Sequence, residues 1–241
     1  MFNLKSKCAL LTINDLSNFQ SYDDLIVNPL RGLGWECEFI PWDSTSINWD
    51  DFDAVIIRST WDYQQKEKLF FKTLQSIEAS SATLYNSLDI VKWNIHKRYL
   101  LELEKENISI IPTRLYGSFD FEIVSQLFSF FNEKKLIIKP CVSANADDTF
   151  ILEQNKMASL KHMLENTFFQ RDFLIQPFIK NIKSEGEYSL IYFGDRLSHV
   201  LLKTPKNGDF RVQEEHGGVL KAINKPESSL IDFGNKVMGT I

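Results

Sequence analysis

The segment KLIIKPCVSANADDT at residues 135–149 decides the fold. Its first part, KLIIKP, is an apolar run of strand length that ends with Lys139 and Pro140. A lysine at a strand end offers a fixed ammonium group to a phosphate oxygen, and the small, turn-forming residues that follow let backbone N–H groups close on the same anion. The segment predicts a phosphate-binding loop, although a lone strand-end lysine is more often just solvated.

The sequence before this segment predicts alternating strands and helices. Apolar or alternating runs occur in CALLTIN at 8–14, WECEFIPW at 35–42 and DAVIIRS at 53–59. A helical pattern from 23 to 33 stops at Gly34. These steps predict a Rossmann-like β/α domain with an open parallel sheet, in which ligands sit beyond the carboxyl ends of strands. RSTWDY at 58–63 falls at such an end.

After residue 135 the pattern becomes rich in strands, with helices between them. YSLIYFG and RLSHVLLK are joined through Gly194 and Asp195, which predicts a β-hairpin. The strand FLIQPFI at 173–179 is expected to stop at its proline or to lie at a sheet edge. The fold class is therefore predicted to be α/β followed by α+β.

Composition limits the classes of function. The 241 residues are 44% hydrophobic with a formal net charge of −5, so the chain is globular and nucleic-acid binding is disfavoured. Three cysteines without a CxxC pair, and a short apolar start, predict a cytoplasmic protein with no membrane partner. The four histidines show no ligand spacing, and GxSxG, HExxH and GxxxxGK[ST] motifs are absent.

Three further residues are candidates for binding an anion or a sugar. Lys97 is predicted in the first turn of a helix over 96–107, where a cation opposes the helix dipole unless an anion is near. Arg211 is predicted on an alternating strand with Phe210 and Val212, and its planar fork suits phosphate or carboxylate. Glu187 could accept from ribose hydroxyls. An exposed lysine, a solvated charged turn and a surface glutamate are the alternatives.

Seven blocks in order resemble the ATP-grasp superfamily, and most closely its glutathione-synthetase-like branch, which includes the cyclo-ligase of D-cycloserine biosynthesis. They are RSTWDY, LYNS, WNIHKRYL, IPT, IIKP with VSANADDT, QPFI, and GEYSL through YFGDRLSHVLLKTPKNGDFRVQ to EHGG. The resemblance spans about residues 58 to 218, and the first fifty residues match only as a generic β/α domain. It implies a β/α domain at 1–95, a first ATP-grasp lobe at 96–179 and an incomplete second lobe at 180–241.

The resemblance also implies the activity and the roles of individual residues. ATP would lie between two α+β lobes, and a carboxylate of an amino-acid-like or small peptide substrate would be phosphorylated and attacked by an amine. The residues expected to bind the nucleotide are Lys97, Lys139, Ser143, Gln176, Phe178 through its backbone, and Glu187. Those expected to steady the transferred phosphate are Lys203 and Arg211. Those expected to line the substrate pocket are Arg58, Ser59, Trp61 and Asp62.

The family's magnesium carboxylates have no counterpart in this sequence. Mg²⁺ is expected with ATP, and its ligands are expected beyond Ile241, because Glu227 and Asp232 lack the setting of the family's metal-binding pair. Two interpretations follow: a truncated ligase, or a catalytically impaired ATP-binding or interaction module. Missing strands would also leave a sheet edge exposed, which favours self-association such as a homodimer.

Overall fold

The computed structural model describes residues 6–241, and the contacts between residues divide the chain into two units between Ile95 and His96. The first unit contains a four-stranded parallel sheet with strand order β2-β1-β3-β4. Its elements are β1 (Ser6–Thr12), α1 (Asp24–Gly32), β2 (Trp35–Pro41), β3 (Ala54–Ser59), α2 (Glu67–Glu78), β4 (Thr83–Tyr85) and α3 (Leu88–Asn94).

The central strand β1 is buried on both faces, because it lies between β2 and β3 and helices cover parallel sheets. Cys8, Ala9, Leu10 and Leu11 follow one another with at most 1% exposure. The sequence predicted an open parallel sheet here, and it is confirmed.

The second unit contains two antiparallel sheets, with strand orders β5-β8-β6-β7 and β11-β10-β9. Its first elements are α4 (Tyr99–Lys105), β5 (Arg114–Tyr116), α5 (Phe121–Phe130), β6 (Lys135–Pro140), β7 (Phe150–Glu153), α6 (Met157–Thr167) and β8 (Phe173–Pro177). They are followed by α7 (Asn181–Ser184), β9 (Glu187–Phe193), β10 (Arg196–Thr204), β11 (Val219–Ala222) and α8 (Ser228–Met238).

The four-stranded antiparallel sheet carries the core of the second unit on one face. Helices α5 and α6 pack there, and Phe128, Leu136, Leu164, Phe168 and Phe173 are at most 2% exposed. Alternate residues of β6 point away from this core. Leu136 and Ile138 are fully buried, so Ile137 and Lys139 lie on the opposite face, which lines a cavity. Strand alternation thus places the lysine of KLIIKP at this cavity.

The hairpin predicted at Gly194 and Asp195 is confirmed. Strands β9 and β10 pair antiparallel, and Phe193 lies opposite Arg196 across this two-residue loop. Gly194 has a φ of 58°, a left-handed value that a tight hairpin turn requires and that glycine adopts without strain.

One of the two alternatives expected for strand β8 is confirmed, because the strand ends at Pro177. It lies between β5 and β6, so the alternative of a sheet edge does not apply. Two other local expectations were wrong. Lys97 precedes α4, which begins at Tyr99, and lies in a turn in which its N–H donates to the carbonyl of Cys141 at 2.9 Å. Arg211 lies outside any strand, because the Asp209 carboxylate accepts hydrogen bonds from the backbone N–H groups of Phe210 and Arg211 and turns the chain.

None of the helices described over residues 6–241 combines the length and the apolar character needed to cross a membrane.

Candidate nucleotide site

A cavity of about 360 Å³ lies within the second unit. It is lined by β6, the loop of residues 141–149, the end of β8, the start of β9 and residues 210–213. The structure brings seven of the residues predicted from the sequence to this cavity: Lys97, Lys139, Ser143, Gln176, Phe178, Glu187 and Arg211.

The Lys97 ammonium is tied to the loop that follows β6. Its Nζ donates to the carbonyl oxygen of Ser143 at 3.0 Å and to Ser143 Oγ at 2.9 Å. Burial, and then the positive charge of Lys139, lower the pKa of Lys97 from 10.5 to about 8. A cation held with so little neutralisation is a site at which an anion would be stabilised.

Lys139 lies at the end of β6 with its ammonium in the same cavity. Burial lowers its pKa, and the negative charge of Glu187 partly opposes this shift. Within residues 6–241 no hydrogen bond or ion pair engages the Lys139 ammonium. The cavity therefore contains a desolvated cation that lacks an internal partner.

The loop of residues 141–149 forms one wall of the cavity with small side chains and a twisted backbone. Asn145, Ala146 and Asp148 have φ values of 52°, 58° and 51°, in the left-handed region that non-glycine residues adopt infrequently. Ser143 Oγ donates to the carbonyl of Pro140 at 3.3 Å, which fixes the start of the loop. A loop of this kind turns main-chain groups toward a bound anion.

Another part of the cavity lining is apolar and aromatic. Ile111, Ile137, Phe178 and Phe210 line it, and the two phenylalanine rings meet edge to face with centroids 6.5 Å apart. The Gln176 side chain is 6% exposed there.

Hydrogen bonds in this part of the lining decide which groups remain available to a ligand. Gln176 Nε2 donates to Thr113 Oγ1 at 2.9 Å, and the N–H of Phe178 donates to the carbonyl of Lys135 at 3.1 Å. Ile179, the next residue, has no hydrogen bond from its N–H within the described chain. The expected contact between Gln176 and a base therefore depends on its amide oxygen, and a backbone contact depends on Ile179 and not on the N–H of Phe178.

Arg211 reaches the cavity with its guanidinium already occupied. Nη2 lies 2.7 Å from Asp209 Oδ2, and Nε donates to both carboxylate oxygens of Asp209 at 3.2 Å. The guanidinium holds the pKa of Asp209 well below its usual range. The sequence prediction missed Asp209, although an acid two residues before an arginine in a turn is a signal for such a pair.

Lys203, on β10, is outside the cavity lining. Its ammonium lies 3.8 Å from Glu187 Oε1. The two residues lie opposite each other in the pairing of β10 with β9. Glu187 does line the cavity, so Lys203 is linked to the site through that carboxylate and not by direct exposure to it.

The four predicted substrate-pocket residues all belong to the first unit, at and after the end of β3. Arg58 Nε donates to Asp23 Oδ1 at 2.8 Å, and Ser59 Oγ donates to Asp23 Oδ2. Trp61 contacts Phe19 with ring centroids 5.3 Å apart. Trp42 Nε1 donates to Asp62 Oδ1 at 2.6 Å.

Asp23 was missed by the sequence prediction. Its side chain is 6% exposed, and its charge is neutralised by Arg58, whose Nη2 lies 2.7 Å away. A buried carboxylate needs such a partner. The pair is separated by 35 residues in sequence, so local patterns gave no signal for it.

The residues that line the cavity offer few ligands to a metal ion. Glu187 is the only carboxylate that lines the cavity among the described residues. No group of three or more His, Cys, Asp or Glu side chains in residues 6–241 is arranged to hold a metal. We therefore assign no step to a metal held by these residues.

Comparison with known proteins supports an assignment of the fold. A family model described as the N-terminal domain of D-cycloserine synthetase DcsG matches residues 8–86. The crystal structure of D-cycloserine synthetase DcsG superposes with a TM-score of 0.84 at 18% identity, covering 98% of this chain and 80% of that one. The chain has the fold of the ATP-grasp ligases. The match at 8–86 also corrects the expectation that the first fifty residues resemble only a generic β/α domain.

Two further solved structures share this ATP-grasp fold at lower similarity. The ATP-grasp ligase PsnB, in complex with a minimal precursor, Mg and ADP, gives a TM-score of 0.60 at 15% identity and covers 98% of this chain and 80% of PsnB. D-alanine–D-alanine ligase from Bacillus anthracis gives 0.60 at 14% identity, with 98% and 77% covered.

A curated relative shows the same resemblance in sequence. The cycloserine biosynthesis protein DcsG of Streptomyces lavendulae is 22% identical over 182 residues. The match covers 74% of this chain and 60% of the relative's length.

Proposed function

We propose that the chain binds ATP in the cavity of the second unit and acts as an ATP-dependent carboxylate ligase. The observation that carries the proposal is the convergence of two desolvated ammonium groups, Lys97 and Lys139, on one cavity. Two like charges in one partly buried space repel each other, and a polyanion relieves that repulsion. A triphosphate is a ligand with enough charge to engage both.

The shape of the cavity supports a nucleotide over a simple phosphate. Its apolar lining residues, which include Ile111, Ile137 and Phe178, suit the faces of a purine, and the two lysines that line the same cavity would hold the phosphates of that molecule. Glu187 lines the cavity at the start of β9 and would accept from ribose hydroxyls. Gln176 contributes its amide oxygen, because its nitrogen is bound to Thr113.

The proposed reaction has two steps. A carboxylate oxygen of an amino-acid-like or small peptide substrate takes the terminal phosphoryl group of ATP, which gives an acyl phosphate and ADP. An amine nitrogen then attacks the acyl carbon, a C–N bond forms, inorganic phosphate leaves and the amine proton passes to solvent. Such chemistry depends on positioning and on neutralisation of charge, so it needs fixed cations and no protein nucleophile.

The residues of the chain would divide this work. Lys97 and Lys139 would hold the phosphates under the loop of residues 141–149. Arg211 would steady the transferred phosphoryl group by exchanging part of its contact with Asp209 for the phosphate. Lys203 would keep Glu187 oriented.

The two units would have different roles in this proposal. The β/α domain at 1–95 would contribute Arg58, Ser59, Trp61 and Asp62 to recognition of the substrate. The lobes at 96–179 and 180–241 would bind the nucleotide. Mg²⁺ bound with ATP would neutralise phosphate charge.

Calorimetry with ATP tests the nucleotide site. Lys139→Ala should weaken ATP binding by about 1.5–3 kcal/mol, the scale of one hydrogen bond to a charged group. Lys221→Ala, which removes an exposed lysine of β11, is the matched control and should bind like the parent. Equal ATP affinity in the Lys139→Ala variant and the parent would remove Lys139 from the site.

One observation favours a second candidate, an ATP-binding module without turnover. Arg211 is already paired with Asp209, so the cation assigned to the reacting phosphate has an internal competitor. Measurement of ADP release with candidate amino acids and short peptides separates the two functions. Release that depends on an added carboxylate supports the ligase, whereas ATP binding without such release supports the module.

A further inference from the structure

A chain of contacts around His96 fixes the position of Lys97 from outside the cavity. His96 immediately precedes Lys97, in the turn before α4. Its Nε2 lies 3.1 Å from Asp172 Oδ2, a partner 76 residues away in sequence. Its Nδ1 accepts a hydrogen bond from the backbone N–H of Arg98 at 3.1 Å. The imidazole ring thus bridges the turn that carries Lys97 and the segment before β8.

The two contacts determine which ring nitrogen carries the proton. Nδ1 accepts from a backbone N–H, so it cannot itself be protonated in this arrangement. Nε2 then carries the proton and donates it to the Asp172 carboxylate. A neutral imidazole with this tautomer can bind both Asp172 and the Arg98 N–H in only one ring orientation. The two contacts therefore restrict the conformation of the turn that carries Lys97.

Asp172 is in turn attached to the strand that leads to Lys139. The N–H of Cys141 donates to the carbonyl oxygen of Asp172 at 2.9 Å, which continues the pairing between β6 and β8. Cys141 then accepts at its own carbonyl from the N–H of Lys97 at 2.9 Å and from Lys97 Nζ at 3.5 Å. The contacts close a ring that runs through His96, Asp172, Cys141 and Lys97.

Other charges near this ring are weaker partners or lie farther along the chain. Arg98 Nη2 is 3.9 Å from Asp172 Oδ2, at the limit of an ion pair. Arg171 is engaged by Asp148, with Nη1 and Oδ2 2.6 Å apart. Neither arginine replaces the link from His96 to the turn, because only His96 also binds the backbone of the turn itself.

We propose that His96 and Asp172 are positioning residues that hold the Lys97 ammonium on the loop of residues 141–149 and thereby set the affinity for ATP. The inference rests on the proposed nucleotide site and deepens it. Without the bridge, the turn is held by the hydrogen bonds from Lys97 to Cys141 and by the 3.9 Å contact of Arg98 with Asp172, and the Lys97 side chain can leave Ser143 for solvent more readily. Its ammonium would then be absent from the cavity for part of the time.

A direct measurement on Lys97 tests the positioning without any nucleotide. Protein with ¹³C- and ¹⁵N-labelled lysine is titrated by NMR, and the Lys97 side-chain resonance is assigned by its absence in Lys97→Arg. In the parent it should titrate near the pKa of about 8 that burial gives it. In His96→Ala it should move toward the ordinary lysine value, about 10.4.

Conservative and second-partner variants separate positioning from a general loss of structure. His96→Gln retains a side-chain N–H that can donate to Asp172 and should keep the parent titration of Lys97. Asp172→Leu removes the acceptor at similar size and should reproduce His96→Ala. His162→Ala, which removes a histidine on α6 whose hydrogen-bond partner within residues 6–241 is Asn166, is the matched control.

Calorimetry with ATP gives the functional readout of the same variants. His96→Ala and Asp172→Leu should bind ATP about tenfold more weakly than the parent, the scale of one lost charge-assisted contact. His96→Gln should stay within about threefold of the parent, because its side-chain N–H can still donate to Asp172.

The outcomes distinguish failure of this inference from failure of the proposed function. An unchanged Lys97 titration in both His96→Ala and Asp172→Leu would overturn the positioning role. So would a loss of the Lys97 shift in His96→Gln equal to that in His96→Ala. If no variant and no parent binds ATP while the Lys97 titration still depends on His96, the positioning role stands and the nucleotide site is refuted.

Discussion

The lowered pKa of Lys97 predicts that ATP affinity falls in mildly alkaline solution. In the free protein this pKa is about 8, mainly because burial disfavours the ammonium. A bound triphosphate favours the charged form and raises the pKa in the complex. Well below pH 8 the ammonium is already present, and binding takes up no proton at this residue. Above pH 8 the free protein holds a neutral amine, and binding must take up a proton.

The magnitude follows from the same pKa. At pH 9 about a tenth of the free protein would carry the Lys97 ammonium, so ATP affinity should fall about tenfold relative to pH 7, or ~1.4 kcal/mol. Calorimetry between pH 7.5 and about 9.5, in two buffers with different ionisation enthalpies, measures both the affinity and the number of protons taken up.

Lys97→Arg is the matched variant, because a guanidinium keeps its proton throughout this range. It should lose the portion of the alkaline decline that begins near pH 8. A remaining decline at higher pH would report Lys139, whose pKa is also lowered by burial. The reasoning is refuted if the parent takes up no proton above pH 8, or if Lys97→Arg shows the same midpoint as the parent.

Further predictions concern stability and charge outside the cavity. Phe168→Ala should lower the free energy of unfolding by about 3–5 kcal/mol, whereas its neighbour Phe169→Ala should leave it nearly unchanged in urea titrations, because Phe168 is 0% and Phe169 74% exposed. Gly218→Ala should destabilise the fold because a Cβ there would overlap the carbonyl group of Val212, so a melting temperature equal to the parent's would contradict that packing. Glu153 should titrate with a pKa of about 2 by NMR, because hydrogen bonds from two lysines hold its carboxylate in the charged form. Its contribution to stability is present above its unfolded pKa and is lost as pH falls through about 2. Glu153→Gln should flatten that acid dependence of stability.

Much of the fold follows from local sequence patterns. The continuous apolar run of DAVIIRS gave a buried parallel strand, and Gly194 with Asp195 gave the turn between β9 and β10. These features depend on residues close together in sequence. Position within a sheet does not depend on such residues. The sequence left open whether β8 stops at its proline or lies at an edge, and the pairing with β5, about 60 residues earlier, places it inside the sheet.

The alternation of β6 explains why Lys139 could be placed from sequence alone. Leu136 and Ile138 needed burial against α5 and α6, and this fixed the opposite face for Lys139. Lys97 was identified correctly as a lining residue but for an incorrect local reason. Its turn is set by a hydrogen bond to Cys141, and no pattern within the turn encodes that contact.

The partners of the charged residues were largely beyond prediction, and they decide what each charge can do. Asp23 and Arg58 are 35 residues apart, and His96 and Asp172 are 76 apart, so neither pair has a local signature. The pair of Asp209 with Arg211 is the exception, because only one residue separates them.

The three cations that line the cavity differ in how many internal contacts they must give up to bind a phosphate. Arg211 must give up part of a bidentate contact with Asp209, and Lys97 must share its ammonium with Ser143. Lys139 has no such contact to lose within the described chain. The full free energy of its interaction with an anion would therefore contribute to binding. ATP affinity should therefore fall more in Lys139→Ala than in Arg211→Ala. The opposite order, measured by calorimetry under identical conditions, would show that exchange of the Asp209 partner costs less than desolvation of the unpaired lysine.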